Sequence, residues 1–154
     1  MVHFVGAGSG APDLITLRGK KFLEEADVVI YAGSLVNPQL LEYTKENCEI
    51  YNSAKMTLEE VLEVMEQAER EQKMTVRLHT GDPCLYGAIR EQMDHLDELG
   101  IAYDSCPGVS SSAGSSGTES GIYTSGGVTE CCHHTYGRKN TGSGEGKGCS
   151  VCKS

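Results

Sequence analysis

The chain has 154 residues, with 22 Asp and Glu against 13 Lys and Arg, a net charge of −9 and a pI near 5.0. That length allows one domain with a real core. The acidic balance and the lack of a basic run argue against nucleic acid as a partner. No apolar stretch nears ~20 residues and "MVHFVGAG" carries no leader pattern, so a cytoplasmic protein off the membrane is expected.

Five runs read as strands: "VHFVGAG", "ADVVIYAG" at 26–33, "CEIYNS", "MTVRLHTGDP" and "IAYDSCPG". Helical patterns lie between them. Thr57 with Glu60 makes a capping box, followed by the stripe Leu58, Val61, Leu62, Met65 and Ala68. A shorter stripe, Ile89, Met93 and Leu96, follows "GDPCLYG". Five strands alternating with four helices imply an α/β fold, a mostly parallel sheet flanked by helices. Such sheets bind ligands beyond the carboxyl ends of their strands, at "GAGSGAPD", "YAGSLVNP", "HTGDPCLYG" and "CPGVSS".

The first of these loops has Gly6, Gly8 and Ala11 in the G-x-G-x-x-A spacing of a dinucleotide fingerprint. An NAD site also wants a carboxylate at the end of the second strand, where this chain has Ala32 and Gly33. A tight turn with no ligand is the plainer reading. Pro12 and Asp13 precede the first helix, which makes Asp13 an expected N-cap. In the loop after the fourth strand (each loop takes its strand's number) Asp82 and Pro83 read equally as a helix start and as a carboxylate placed beside a ligand.

"VGAGSGAPDLITLRG", "ADVVIYAGSLVNP", "VRLHTGDPCLYGAIREQM" and "CPGVSS" occur in this order across nearly all of 1–111. Together they resemble the tetrapyrrole methylases that use S-adenosylmethionine. The stretch "HTGDPCLYGAIREQ" looks most like the branch that methylates precorrin-4 or cobalt-precorrin-4 at C-11 in cobalamin biosynthesis. Methylases of other ring positions and diphthine synthase are the rivals within the family.

The resemblance implies a two-domain enzyme with S-adenosylmethionine in the cleft, a tetrapyrrole substrate and a homodimer in full-length relatives. It places the donor on Gly8, Ser9, Gly10, Thr80, Gly81, Asp82, Leu85, Ser110 and Ser111, and the substrate near Asp13 and Tyr86. Ala11 and Gly33 depart from the family pattern, which leaves the proton acceptor unassigned among Asp13, Lys55 and His79. An activated methyl donor needs alignment and exclusion of water more than a nucleophile, consistent with the absence of a metal triad or nucleophile–base pair from 1–109.

Composition breaks at Ser110. The 45 residues from there on hold ten Gly and ten Ser but only three of Ile, Leu, Val, Met and Phe together. So few apolar side chains do not offset ordering entropy. The chain is therefore divided into a methylase domain at 1–111 and a low-complexity tail at 112–154. Seven cysteines are an odd number, and Cys48, Cys84 and Cys106 are scattered as reduced thiols would be.

The tail has three readings. Cys131, His134, Cys149 and Cys152 have zinc-like spacing but little apolar support. The Gly/Ser/Thr content suits a solvated tail. The favoured reading is out-of-frame translation. Shifted by one nucleotide, the codons permit a string with "EYTLP", "SQSVVI" and "EGRTPVPE", which resembles the family's continuation. On that reading the second methylase domain is missing, and the chain is expected to bind the donor poorly and to methylate nothing.

Overall fold

The computed structural model describes residues 1–85 and 89–110. Five strands, β1 (Val2–Gly6), β2 (Val28–Tyr31), β3 (Glu49–Asn52), β4 (Thr75–His79) and β5 (Tyr103–Cys106), form one sheet in the order β3-β2-β4-β1-β5. Every pairing is parallel, with Val2 opposite both Thr75 and Tyr103, and Val28 opposite both Thr75 and Glu49. All five expected strands are present.

A parallel sheet is covered on both faces, so its inner strands read as buried runs rather than alternating ones. Successive side chains still part to two cores. Val2, Phe4, Val28 and Ile30 pack on one face with Val61, Leu62 and Met65 of α2 (Leu58–Arg70) and Leu96 of α3 (Arg90–Leu99). Val5, Val29, Val76 and Leu78 pack on the other with Leu23 of α1 (Leu17–Glu25) and with Val36 and Leu40.

Helix α2 forms as the sequence indicates. Thr57 Oγ1 accepts the Glu60 N–H at 3.3 Å, and Glu60 Oε2 accepts the Thr57 N–H at 2.7 Å. Helix α3 ends at Gly100, whose φ of 66° few other residues tolerate.

Two expectations are corrected. The β2–β3 connection is not an α-helix but the 3-10 turns Gly33–Leu35 and Pro38–Tyr43. Gly33 is left-handed (φ 64°), and Pro38 holds Asn37 extended, so no uninterrupted helical run remains. Nor does Asp13 cap α1. It lies in the 3-10 turn Pro12–Leu14, and Thr16 Oγ1 takes the capping bond from the Gly19 N–H at 3.1 Å. Thr16 is one residue before Leu17, whereas Asp13 is too far back to reach the free amides.

The strand order fixes where the sheet can hold a ligand. The chain leaves β1 over the α1 face toward β2, and leaves β4 over the α3 face toward β5. β1 and β4 are neighbours, so their following loops diverge to opposite faces. That divergence is a topological switch point, where open α/β sheets form a crevice.

Candidate functional site

Backbone glycines build the floor of the crevice. Gly8 and Gly81 bridge antiparallel just beyond the strand ends: the Gly8 N–H donates to Gly81 O at 3.3 Å and the Gly81 N–H to Gly8 O at 2.8 Å. Behind them, the Ala7 N–H donates to His79 O at 2.7 Å. A Cβ on Gly6 would lie 2.5 Å from the Gly108 Cα and 2.5 Å from Gly81 O, so three loops meet with no space for a side chain.

Side chains complete the stitching. Asn37 Nδ2 donates to Gly10 O at 2.8 Å, joining the second loop to the first. Thr80 Oγ1 donates to Leu35 O at 3.1 Å, joining the fourth to the second. Asp82 Oδ2 accepts the Gly108 N–H at 3.0 Å, joining the fifth to the fourth. Thr16 Oγ1 donates to Pro107 O at 3.5 Å. Asn37, Thr16 and Gly108 were not singled out from sequence. The signal for the first was its place before Pro38, and for Gly108 the Pro-Gly just past a strand.

Eight of the nine expected donor-site positions fall among the described residues: Gly8, Ser9, Gly10, Thr80, Gly81, Asp82, Leu85 and Ser110. They lie on the first, fourth and fifth loops at one end of the sheet. Ser111 and Tyr86 lie outside the described residues, as do all the cysteines and histidines of the tail. Asp13 is exposed on the first loop.

Asp82 caps the turn that follows it. Its Oδ1 accepts the Cys84 N–H at 2.8 Å and its carbonyl accepts the Leu85 N–H at 3.1 Å, closing a local turn; residues 86–88 lie outside the described residues, and α3 is described from Arg90. The same carboxylate also bonds Gly108.

Two of the three nominated bases, Lys55 and His79, stand away from the crevice. Lys55 lies after edge strand β3, two strands from β4, and lines a groove of about 450 Å³ with Tyr51, Glu60 and Val64. His79 ends β4, but its ring turns under the sheet, 6.2 Å from Phe4 and 5 % exposed. Among the described residues its Nε2 has no hydrogen-bond partner. Burial, with the Arg77 cation nearby, pushes its pKa down to about 3. An imidazole so enclosed and so weakly basic does not collect a substrate proton. Arg77 is also buried, donating to Gln92 Oε1 and Ile30 O, and desolvation lowers it to about 10.

The crevice suits a cation better than a phosphate. Residues 6–16, 32–38, 80–85 and 107–110 contain Asp13 and Asp82 but no Lys or Arg. A pyrophosphate wants positive charge or a helix N-terminus, whereas a sulfonium with an ammonium group wants neutral or negative surroundings. Leu14, Leu35 (70 % exposed) and Leu85 add apolar surface around this end. A molecule carrying cationic centres, a flat ring and hydrogen-bonding groups fits that mixture.

The family model for tetrapyrrole (corrin/porphyrin) methylases matches residues 1–130. The chain belongs to the tetrapyrrole methylases. A cobalt-precorrin-4 C(11)-methyltransferase of Methanocaldococcus jannaschii is 63 % identical over 110 residues, 71 % of this chain and 42 % of the relative. A precorrin-4 C(11)-methyltransferase of Pseudomonas aeruginosa is 47 % identical over 112 residues, 73 % of this chain and 44 % of the relative. This tetrapyrrole methylase chain thus spans less than half the length of these relatives.

The X-ray structure of a cobalt precorrin-4 methyltransferase superposes with a TM-score of 0.75 at 45 % identity, covering 77 % of this chain and 50 % of the other. A Thermus thermophilus uroporphyrin-III C-methyltransferase, solved with S-adenosylhomocysteine, gives 0.63 at 31 % identity, covering 75 % and 47 %. No helix among the described residues is long and apolar enough to cross a membrane.

Proposed function

We propose that this chain forms the donor-binding half of an S-adenosylmethionine-dependent C-methyltransferase acting on precorrin-4 or cobalt-precorrin-4 at C-11 in cobalamin biosynthesis. The observation that carries the proposal is the glycine-floored crevice between β1 and β4, whose described loops carry no Lys or Arg. The names of the M. jannaschii and P. aeruginosa relatives support the substrate class. The S-adenosylhomocysteine in the T. thermophilus relative supports the donor.

S-adenosylmethionine would supply a methyl on a cationic sulfur, open to in-line displacement by an electron-rich tetrapyrrole carbon. The chain's part is to hold and align. Gly8 and Gly10 flank Ser9 with backbone groups that carry no Cβ, and Gly10 has open space around it. Thr80, Gly81 and the Asp82 backbone form the opposite wall, with Leu85 excluding water and Ser110 continuing it from β5; Ser111 is assigned to the donor by the family resemblance alone. Asp13 and Tyr86 are assigned to the tetrapyrrole side. Alignment and desolvation are worth many orders of magnitude in such a transfer, so no base on this half is required for it to contribute.

In this proposal residues 1–111 are the donor domain, and 112–154 are an out-of-frame segment in place of the family's continuation. The complete enzyme works in the cytoplasm as a homodimer. The 154-residue chain alone then binds donor weakly and methylates nothing.

Amide chemical-shift titration tests this directly. S-adenosylhomocysteine should shift residues in 6–10, 33–37, 80–85 and 107–110, saturating only at about 1 mM or above. Shifts confined elsewhere, or stronger shifts with NADH at the same loops, would overturn the proposal.

A further inference from the structure

One carboxylate joins the two loops that flank β1. Asp82 Oδ1 takes the Cys84 N–H at 2.8 Å and Oδ2 takes the Gly108 N–H at 3.0 Å, across 26 positions of sequence. The pairing of β5 with β1 ends at Cys106, so Gly108 lies beyond the ladder that would otherwise hold it. Yet Gly108 sits where a Cβ would come 2.7 Å from the Gly6 Cα, a contact that leaves its backbone no latitude. A half-buried carboxylate accepting two N–H groups forms charge-assisted bonds, stronger than neutral ones. It is the natural restraint on that position.

We propose that the Asp82 side chain is a positioning residue for the methyl donor: it holds Gly108 against Gly6 and Gly81, and so sets the width of the crevice, instead of contacting the donor's ammonium group. The inference rests on the donor-site reading above. Both Asp82 oxygens face backbone amides along the seam between loops, which leaves the turn's backbone to meet the ligand. Displacing Gly108 widens the gap for the whole donor, whichever part of it lies nearest.

Two ligands separate positioning from contact. S-adenosylhomocysteine carries the amino-acid ammonium and 5′-methylthioadenosine lacks it. In the 154-residue chain, D82A should weaken both by a similar factor, about tenfold or more. A carboxylate contacting the ammonium would instead weaken S-adenosylhomocysteine alone, and that result overturns the proposal. Amide hydrogen exchange gives a readout independent of ligand: Gly108 should exchange faster in D82A while Val76 and Leu78 in β4 stay protected. Unchanged Gly108 exchange also overturns it.

Asparagine offers one acceptor oxygen for two amides, so D82N should give an intermediate loss. It carries the same comparison if D82A does not fold. A wild-type chain that binds neither ligand sinks the donor-site reading and this inference with it. A wild-type chain that binds both, with D82A binding equally well, sinks the positioning role alone.

Discussion

Gly108 packs against the Gly81 carbonyl so closely that a Cβ on Gly108 would lie 2.1 Å from its oxygen, far inside van der Waals contact. These residues follow β5 and β4, the two strands on either side of β1. Gly6, at the end of β1, fills the space between them. The crevice floor is therefore a three-layer stack of backbone, and its shape depends on side chains that are absent.

Gly108→Ala should accordingly destabilise the chain by about 2 kcal/mol or more, because the clash is with backbone and cannot be relieved by a rotamer change. Gly10→Ala is the informative contrast. Its Cβ would meet nothing within 4 Å, but φ is 115°, so its cost is conformational and about 1 kcal/mol. Urea midpoints would rank the two. Equal midpoints for Gly108→Ala and wild type would mean that the loops are not stacked.

Cys84 offers a chemical probe of the same place. It is exposed beside Asp82, with Sγ 3.9 Å from Ser105 Oγ, whereas Cys106 is buried. Alkylation of the reduced chain, mapped by peptide mass, should mark Cys84 readily and Cys106 only on unfolding. Saturating S-adenosylhomocysteine should slow Cys84 severalfold and leave the tail cysteines unaffected. Cys84 labelling at the same rate with and without ligand would count against a donor on this loop.

The strands were legible because their burial is written in unbroken apolar runs such as "VVIY", and α2 because Thr57 and Glu60 mark its start chemically. The loops matching the family motifs were legible as a site because the switch point collects them. What sequence did not show was which polar group bonds which. Asp13 and Thr16 both resemble caps, and only the turn at Pro12–Leu14 decides for Thr16. Asp82 reads as a helix start or a ligand contact, and nothing local shows that Gly108, 26 residues away, shares its carboxylate. Long-range pairings of this kind leave no periodicity to find.

Asp27 should give the fold an acid-sensitive clamp. Its Oδ2 accepts the Met74 N–H at 2.9 Å and its Oδ1 pairs with Lys45 at 2.9 Å. The backbone hydrogen bond and then Lys45 lower its pKa below the ordinary carboxylate value. The folded chain thus binds fewer protons at this site than the unfolded one. The contribution is complete above an unfolded pKa of about 3.9 and is lost as pH falls through the lower folded value. Asp27→Asn should cost about 1 kcal/mol or less at pH 7, since the side chain is more than a third exposed and water screens the pair. It should also flatten the stability profile below about pH 4, leaving the profile above that unchanged.

His79 should act in a higher window and with the clearer signature. Buried near Arg77, it stays neutral in the folded chain down to about pH 3, while in the unfolded chain it takes a proton near pH 6.5. Between those values the unfolded state binds more protons, so stability rises with pH there and falls on acidification by about 1 kcal/mol per unit. His79→Leu should remove that slope, and urea midpoints at pH 7.5, 6.0 and 5.0 would show it. At pH 7.5 the variant should lie within about 1 kcal/mol of wild type, because the imidazole Nε2 it removes is buried without a hydrogen bond. Parallel profiles for variant and wild type would mean that the ring gains a proton within the fold. That would restore His79 as a candidate proton acceptor, and the crevice would then hold a base that its packing under the sheet now argues against.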